Sequence, residues 1–199
     1  IIANSAIASP ATDLMQKLKQ MQSFEAKFEQ SITNDKGAAI SNAAGFLKIQ
    51  KPGKFYWKGE KPDQVLIVAD GETIWTYDID LQQIIKQKQV QSMGQSPAAL
   101  LAGNAVNLEQ EYKISQVDAK FCGNGASVCY QLDPKVKDNQ FKKIQVGFNG
   151  NQLVCIQMAD ALSQTIKTRF NQVQVNHKLD SQLFAFKPPV GVDVIQGNP

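Results

Sequence analysis

The chain has 199 residues, 43% hydrophobic and 20% charged, which suits one well-cored domain or at most two small ones. Its formal net charge of +3 comes almost wholly from scattered lysines, and Arg169 is the single arginine. A nucleic-acid binder would carry a clustered basic stripe with arginine, so that class is excluded. No run approaches the roughly eighteen apolar residues of a membrane-spanning helix.

The opening residues IIANSAIASPA resemble the small-residue end of a secretory signal. They imply an exported, processed chain, with residues 1–8 a flexible leader and 9–199 one domain. Ser9-Pro10 is a helix start, with serine as N-cap and proline at the first helical position. Leu14, Leu18 and Met21 then recur at helical spacing, with Met15 widening the apolar face, and the helix ends near Gln22. From Phe24 the period drops to two: Phe24, Ala26, Phe28 and Ile32 alternate with polar residues as in a half-buried strand. Asn34-Asp35-Lys36-Gly37 turns the chain.

Gly45 to Tyr77 reads as four short strands. Phe46 to Gln50 is followed by a break at Lys51-Pro52-Gly53, and Lys54 to Lys58 by a break at 59–63. Gln64 to Ala69 and Glu72 to Tyr77 flank Asp70-Gly71, a hairpin signal because glycine accepts the positive φ of a tight turn. Alternation places Leu47, Ile49 and Lys51 on one face, and Phe55 and Trp57 on one face of the next strand. A cation in phase with an apolar, aromatic surface asks for a functional explanation. The period does not decide between Trp75/Tyr77 and Ile74/Thr76 for the inner face.

Leu81 to Val90 continues the meander, which then breaks at 91–108. Ser96-Pro97 repeats the helix-start signal, and Ala98-Ala99-Leu100-Leu101-Ala102 is closed by Gly103-Asn104. So short and apolar a helix must rest on the sheet, and the open concave face is its natural seat. A second short turn around Ala105 to Leu108 extends it. Strands resume at Tyr112 to Val117, Val128 to Leu132, Phe141 to Phe148, Gln152 to Met158 and Thr165 to Val175. The tail Phe184-Ala185-Phe186-Lys187-Pro188-Pro189 packs aromatics before prolines end the pairing. The sum is ten or eleven antiparallel strands and two or three helices.

Cys122 and Cys129 flank a Gly-Asn-Gly-Ala-Ser-Val loop without zinc-type spacing, so a disulfide worth about 2–3 kcal/mol is expected there, in an oxidising compartment. Cys155, inside Leu-Val-Cys-Ile, reads as a buried inert thiol. The lone His177 lies in a loop. Asp78 and Asp80 read as a polar turn rather than a cation site. No nucleophile elbow, phosphate loop or dinucleotide fingerprint is present. No catalytic residue, metal or cofactor is expected, and a binding protein is favoured over an enzyme.

The order Gly45-Phe46-Leu47-Lys48-Ile49-Gln50-Lys51-Pro52, Phe55-Tyr56-Trp57, Pro62-Asp63 and Asp70-Gly71-Glu72-Thr73-Ile74-Trp75-Thr76-Tyr77 resembles the periplasmic outer-membrane lipoprotein carrier family, LolA. The opening helix, the following Ser23 to Gln30, and the tail Phe184 to Val192 match it too. The resemblance implies a mainly β fold, an incomplete antiparallel barrel of about eleven strands covered by short helices, enclosing a hydrophobic cavity. It implies a monomeric periplasmic shuttle. Triacylated lipoproteins would be taken from an ATP-driven (ABC-type) inner-membrane release complex and passed to an outer-membrane receptor.

Phe28, Leu47, Ile49, Phe55, Trp57 and Trp75 would line the acyl-chain cavity, with Leu100 and Leu101 as lid contacts. The family's latch is an arginine before the proline, hydrogen-bonded to the lid. Lys51 stands there, keeping charge and donors but not the planar fork. Three readings stay beside the carrier: the receptor of the same fold, which would bear a lipidated N-terminal cysteine; a carrier of free lipids; and a lipid-sensing regulator. A lipid hydrolase would need a triad that is not visible. For Lys51 a snorkelling lysine at a strand end stays open, and for the aromatics plain sheet core.

Overall fold

The computed structural model of the chain describes residues 8–89, 96–103, 108–123, 125–136 and 140–197. It opens with helix α1 (Pro10–Gln20), started as expected by Ser9, whose hydroxyl accepts from the Thr12 amide at 3.1 Å. Six strands follow: β1 (Ser23–Thr33), β2 (Ala39–Gln50), β3 (Lys54–Lys61), β4 (Val65–Asp70), β5 (Thr73–Asp78) and β6 (Gln83–Lys88). Two short helices, α2 (Pro97–Ala102) and α3 (Leu108–Glu111), interrupt the meander. Then come β7 (Tyr112–Val117), β8 (Val128–Pro134), β9 (Phe141–Asn149), β10 (Gln152–Asp160), β11 (Thr165–Val175) and β12 (Asp193–Gln196). Of the short turn expected at Ala105 to Leu108, all but Leu108 lies outside the described residues, as do the leader at 1–7 and Val90.

The strands form one sheet in the order β12-β6-β5-β4-β3-β2-β1-β11-β10-β9-β8-β7, left open between β7 and β12. Every neighbouring pair is antiparallel except β12, which runs parallel to β6. The fold is thus the incomplete barrel expected, with one strand more than about eleven. The prolines do not end the pairing, because the chain returns after them as β12. All four of its residues are exposed, so no buried-face alternation marks it. At the β4–β5 hairpin, Gly71 adopts φ 108°, and Asp70 Oδ1 accepts from the Glu72 and Thr73 amides, both at 2.8 Å.

The core lies between the inner face of this sheet and the helices. Leu14 and Leu18 of α1, its C-cap Met21, and Ala98, Ala99, Leu101 and Ala102 of α2 join inward residues of ten strands in one buried cluster. A smaller packing lies on the outer face. There the 3-10 turn Ser181–Phe184 rests on β3 and β4, and the Phe186 ring approaches Trp75 at 5.5 Å and Tyr77 at 6.1 Å.

Also outside the main cluster, Cys122 and Cys129 form the expected disulfide, with Cα atoms 5.7 Å apart. Cys129, Gly147 and Cys155 are cross-strand partners on β8, β9 and β10, and the Cys155 thiol donates to the Cys122 carbonyl at 2.8 Å. Gly147 makes this stack fit: a Cβ there would lie 2.7 Å from both Cys122 Cβ and Cys155 Sγ.

Candidate functional site

Strand register assembles the apolar face row by row. Phe24, Ile49, Phe55, Ala69 and Ile74 form one cross-strand row on β1 to β5, and Ala26, Leu47, Trp57, Ile67 and Thr76 the next. In the third row Phe28 faces Gly45, which faces Gly59. Those two bare positions leave room for large neighbours, and the Phe28 ring stacks on Trp57 with centroids 3.7 Å apart and planes 25° from parallel. Phe24 meets Phe170 of β11 edge-on at 5.3 Å. Phe28, Leu47, Ile49, Phe55 and Trp57 therefore share one surface, none more than 9% exposed.

Trp75 does not belong to it. Its neighbour Ile74 points inward, so alternation turns Trp75 to the outer face, where Phe186 and the Lys86 ammonium, 4.9 Å from its ring, pack on it. The expectation that Trp75 lines the inner surface is corrected accordingly.

The inner face is closed by the protein's own helices. α2 rests on β2, β3 and β10 and presents Leu101, 1% exposed, to the core, while Leu100 is half-buried at its margin. Ser96 caps α2 by accepting from the Ala99 amide at 3.1 Å, and the Gly103 amide closes it on the Ala99 carbonyl at 3.0 Å. α1 has more polar ties: Tyr130 donates its hydroxyl hydrogen bond to Asp13, and Lys17 donates to the Gly150 carbonyl and Asn151 Oδ1, each at 3.0 Å.

Its last carbonyls, which have no partner within a helix, are met one by one. Lys51 Nζ donates to Leu18 O at 2.5 Å, Gln22 Nε2 to Lys19 O at 2.6 Å and Asn176 Nδ2 to Gln20 O at 2.9 Å. Asn176 comes from the far end of the chain, with no local pattern to announce it.

Lys51 thus does contact a covering helix through a side-chain hydrogen bond, but the helix is α1. The Lys51–Gly53 turn reaches α2 through backbone instead, with the Gly53 amide donating to Ala102 O at 2.9 Å. An ammonium at a helix C-terminus is favourably placed against the carbonyl dipoles. Burial nevertheless lowers the Lys51 pKa to about 8.

The folded protein then binds fewer protons than the unfolded chain between that value and the ordinary lysine value, so stability rises with pH across the window. We expect the urea midpoint to climb between pH 7.5 and 9.5 in the wild type. Lys51→Met should lose that climb, and equal pH slopes in the two proteins would contradict this account. Tyr130, whose pKa is raised by burial and by Asp13, stays protonated throughout.

The one histidine is partnered: His177 Nε2 lies 3.0 Å from Glu25 Oε2, and Lys48 Nζ 3.0 Å from Glu25 Oε1. Burial pushes the Glu25 carboxyl up, but these two partners bring it below its usual value. Among the described residues no three His, Cys, Asp or Glu side chains gather as a metal site, and no helix is long and apolar enough to cross a membrane. A groove of about 920 Å³ lies open at the other end of β1, β2 and β3. It is lined by Ala43, Ala44 and Pro62 beside Lys61, Lys167 and Arg169, not by the aromatic rows.

Residues 19–187 match the family model "Outer membrane lipoprotein carrier protein LolA". The chain belongs to the LolA family. The outer-membrane lipoprotein carrier protein of Chromobacterium violaceum is 39% identical over 197 residues, 99% of this chain and 92% of that protein. That of Alcanivorax borkumensis is 34% identical over 196 residues, 98% of this chain and 92% of that protein. LolA is thus a family of carriers rather than enzymes. An uncharacterised conserved protein of Thermus thermophilus shares the fold, with TM-score 0.55 at 9% identity over 94% of this chain and 97% of that one.

Proposed function

We propose that this LolA-family chain is a periplasmic carrier for triacylated lipoproteins. It accepts them from an ABC-type release complex of the inner membrane and hands them to an outer-membrane receptor, acting as a monomer built from one domain over residues 9–199. The observation that carries this reading is the apolar surface of Phe28, Leu47, Ile49, Phe55 and Trp57, closed by helices of the same chain. Each acyl CH₂ buried gains about 0.8 kcal/mol, so three fully enclosed chains would scarcely leave. Acyl chains that must first displace Leu101 and Leu100 gain less, because the closed state already buries much of the same surface. Such a carrier can both bind and let go.

The test is to add the purified protein to spheroplasts holding an outer-membrane-directed lipoprotein, with release machinery from a matched species. A soluble one-to-one complex is expected. Lys51→Leu, which loses the tie to α1, should retain cargo and deliver it poorly to receptor. Folded protein that releases nothing from active spheroplasts, or that yields only free lipid on organic extraction, would overturn the reading.

A further inference from the structure

We propose that Gln89 is the positioning residue that sets how firmly α2 closes, acting through the Lys51–Gly53 turn. Gln89 is 3% exposed, and its carboxamide spans two turns at the α2 end of the sheet. Nε2 donates to the Gly53 carbonyl at 2.5 Å, and Oε1 accepts from the Gly71 amide at 3.0 Å. Its own amide donates to Glu72 O at 2.8 Å, which anchors it beside the β4–β5 hairpin. Gly53 in turn donates its amide to Ala102 O, the described backbone tie between this turn and α2. The chain of bonds therefore runs from the hairpin, through one side chain, to the C-terminal end of the lid.

The chemistry demands a carboxamide. One side chain must offer a donor to Gly53 and an acceptor to Gly71 at once, which glutamine does and leucine or ionised glutamate does not. The fit is close as well: a Cβ on Gly53 would lie 3.3 Å from Gln89 Nε2 and 3.4 Å from Gly71 Cα. Gly53 and Gly71 both hold positive φ, 75° and 108°, so each turn presents its peptide groups in an orientation that other residues rarely adopt. α1 shares only the Lys51 cap with this turn, and Asp13, Lys17 and Asn176 hold it from other elements. Loosening Gln89 frees α2 while leaving α1 seated.

This rests on the carrier reading for its consequence but not for its test, which is residue-resolved amide hydrogen exchange on the cargo-free protein. Gln89→Leu removes both bonds, whereas Gln89→Glu keeps the acceptor for Gly71 and loses the donor for Gly53. In Gln89→Leu the Gly53 and Gly71 amides should both exchange on the order of tenfold faster. In Gln89→Glu the Gly53 amide should do so and Gly71 should not. Amides of β8 to β10 should keep their protection in both.

Unchanged Gly53 exchange in either variant, or equal acceleration across β8 to β10, would overturn the proposal, the second by showing a merely structural role. In the spheroplast assay the same variants should load cargo faster and pass it to receptor less readily than the wild type, because a weakened closed state competes less with the acyl chains. If the wild type itself releases no lipoprotein, the carrier reading fails, while the exchange result still decides the role of Gln89.

Discussion

Gly45→Ala will cost on the order of 3 kcal/mol or more, whereas Gly59→Ala, directly across the ladder, will cost no more than about 1 kcal/mol. The two glycines are cross-strand partners at a β2–β3 irregularity between Ala44 and Gly45, yet their surroundings differ. A Cβ on Gly45 would sit 1.8 Å from the Lys58 carbonyl oxygen and 2.9 Å from its carbon, both backbone atoms that no rotamer change can move. A Cβ on Gly59 would meet nothing closer than 3.5 Å. The first substitution therefore forces β2 and β3 apart where Leu47, Ile49, Phe55 and Trp57 are displayed. Urea denaturation of the two variants beside the wild type reads the difference. Similar midpoints for Gly45→Ala and Gly59→Ala would mean that the strands do not cross this closely.

Phe28→Ala should destabilise by about 3–5 kcal/mol, the range for removing a buried phenylalanine. For a chain of this size that lowers the melting temperature by on the order of 10 °C. The loss should be at the upper end because Phe28 is 1% exposed, lies opposite the bare Gly45 and stacks on Trp57. No neighbour at that position can swing in to fill the hole. Calorimetry gives the stability, and the spheroplast assay run well below the melting temperature gives the second readout. We expect the folded variant to carry less lipoprotein, since it has lost an aromatic ring from the surface that acyl chains would occupy. Wild-type carriage by a folded Phe28→Ala protein would remove Phe28 from the site.

Much of this was legible in the chain itself, wherever one local rule decides. Ser9-Pro10 and Ser96-Pro97 announce helix starts that the structure realises, and Asp70-Gly71 announces its hairpin. Period two along Phe24 to Phe28 and Phe55 to Trp57 names inward residues correctly because one face is dry and the other wet. Trp75 escaped that rule: Ile74 inside and Trp75 outside are both apolar, because the tail aromatics cover the outer face of β5. β12 was hidden because a short exposed strand buries no face and so has no period. The partners of Lys51, Asn176 and Gln89 were hidden for a third reason. Each is a side chain reaching backbone of another element, 33, 156 and 36 residues away respectively. Such pairings follow from the finished fold and leave no spacing to read.

The gap between β7 and β12 has a mechanical meaning. In a closed barrel, strand number and stagger together set the radius, and the interior cannot widen without breaking a ladder. Among the described residues no ladder joins the ends, so the curl of the sheet can relax or tighten through small changes of twist between neighbours while every backbone hydrogen bond survives. The bore is then an adjustable dimension rather than a fixed one. Guests of unequal girth could be gripped by the same twelve strands, the seam taking up the difference as a split ring does on a shaft.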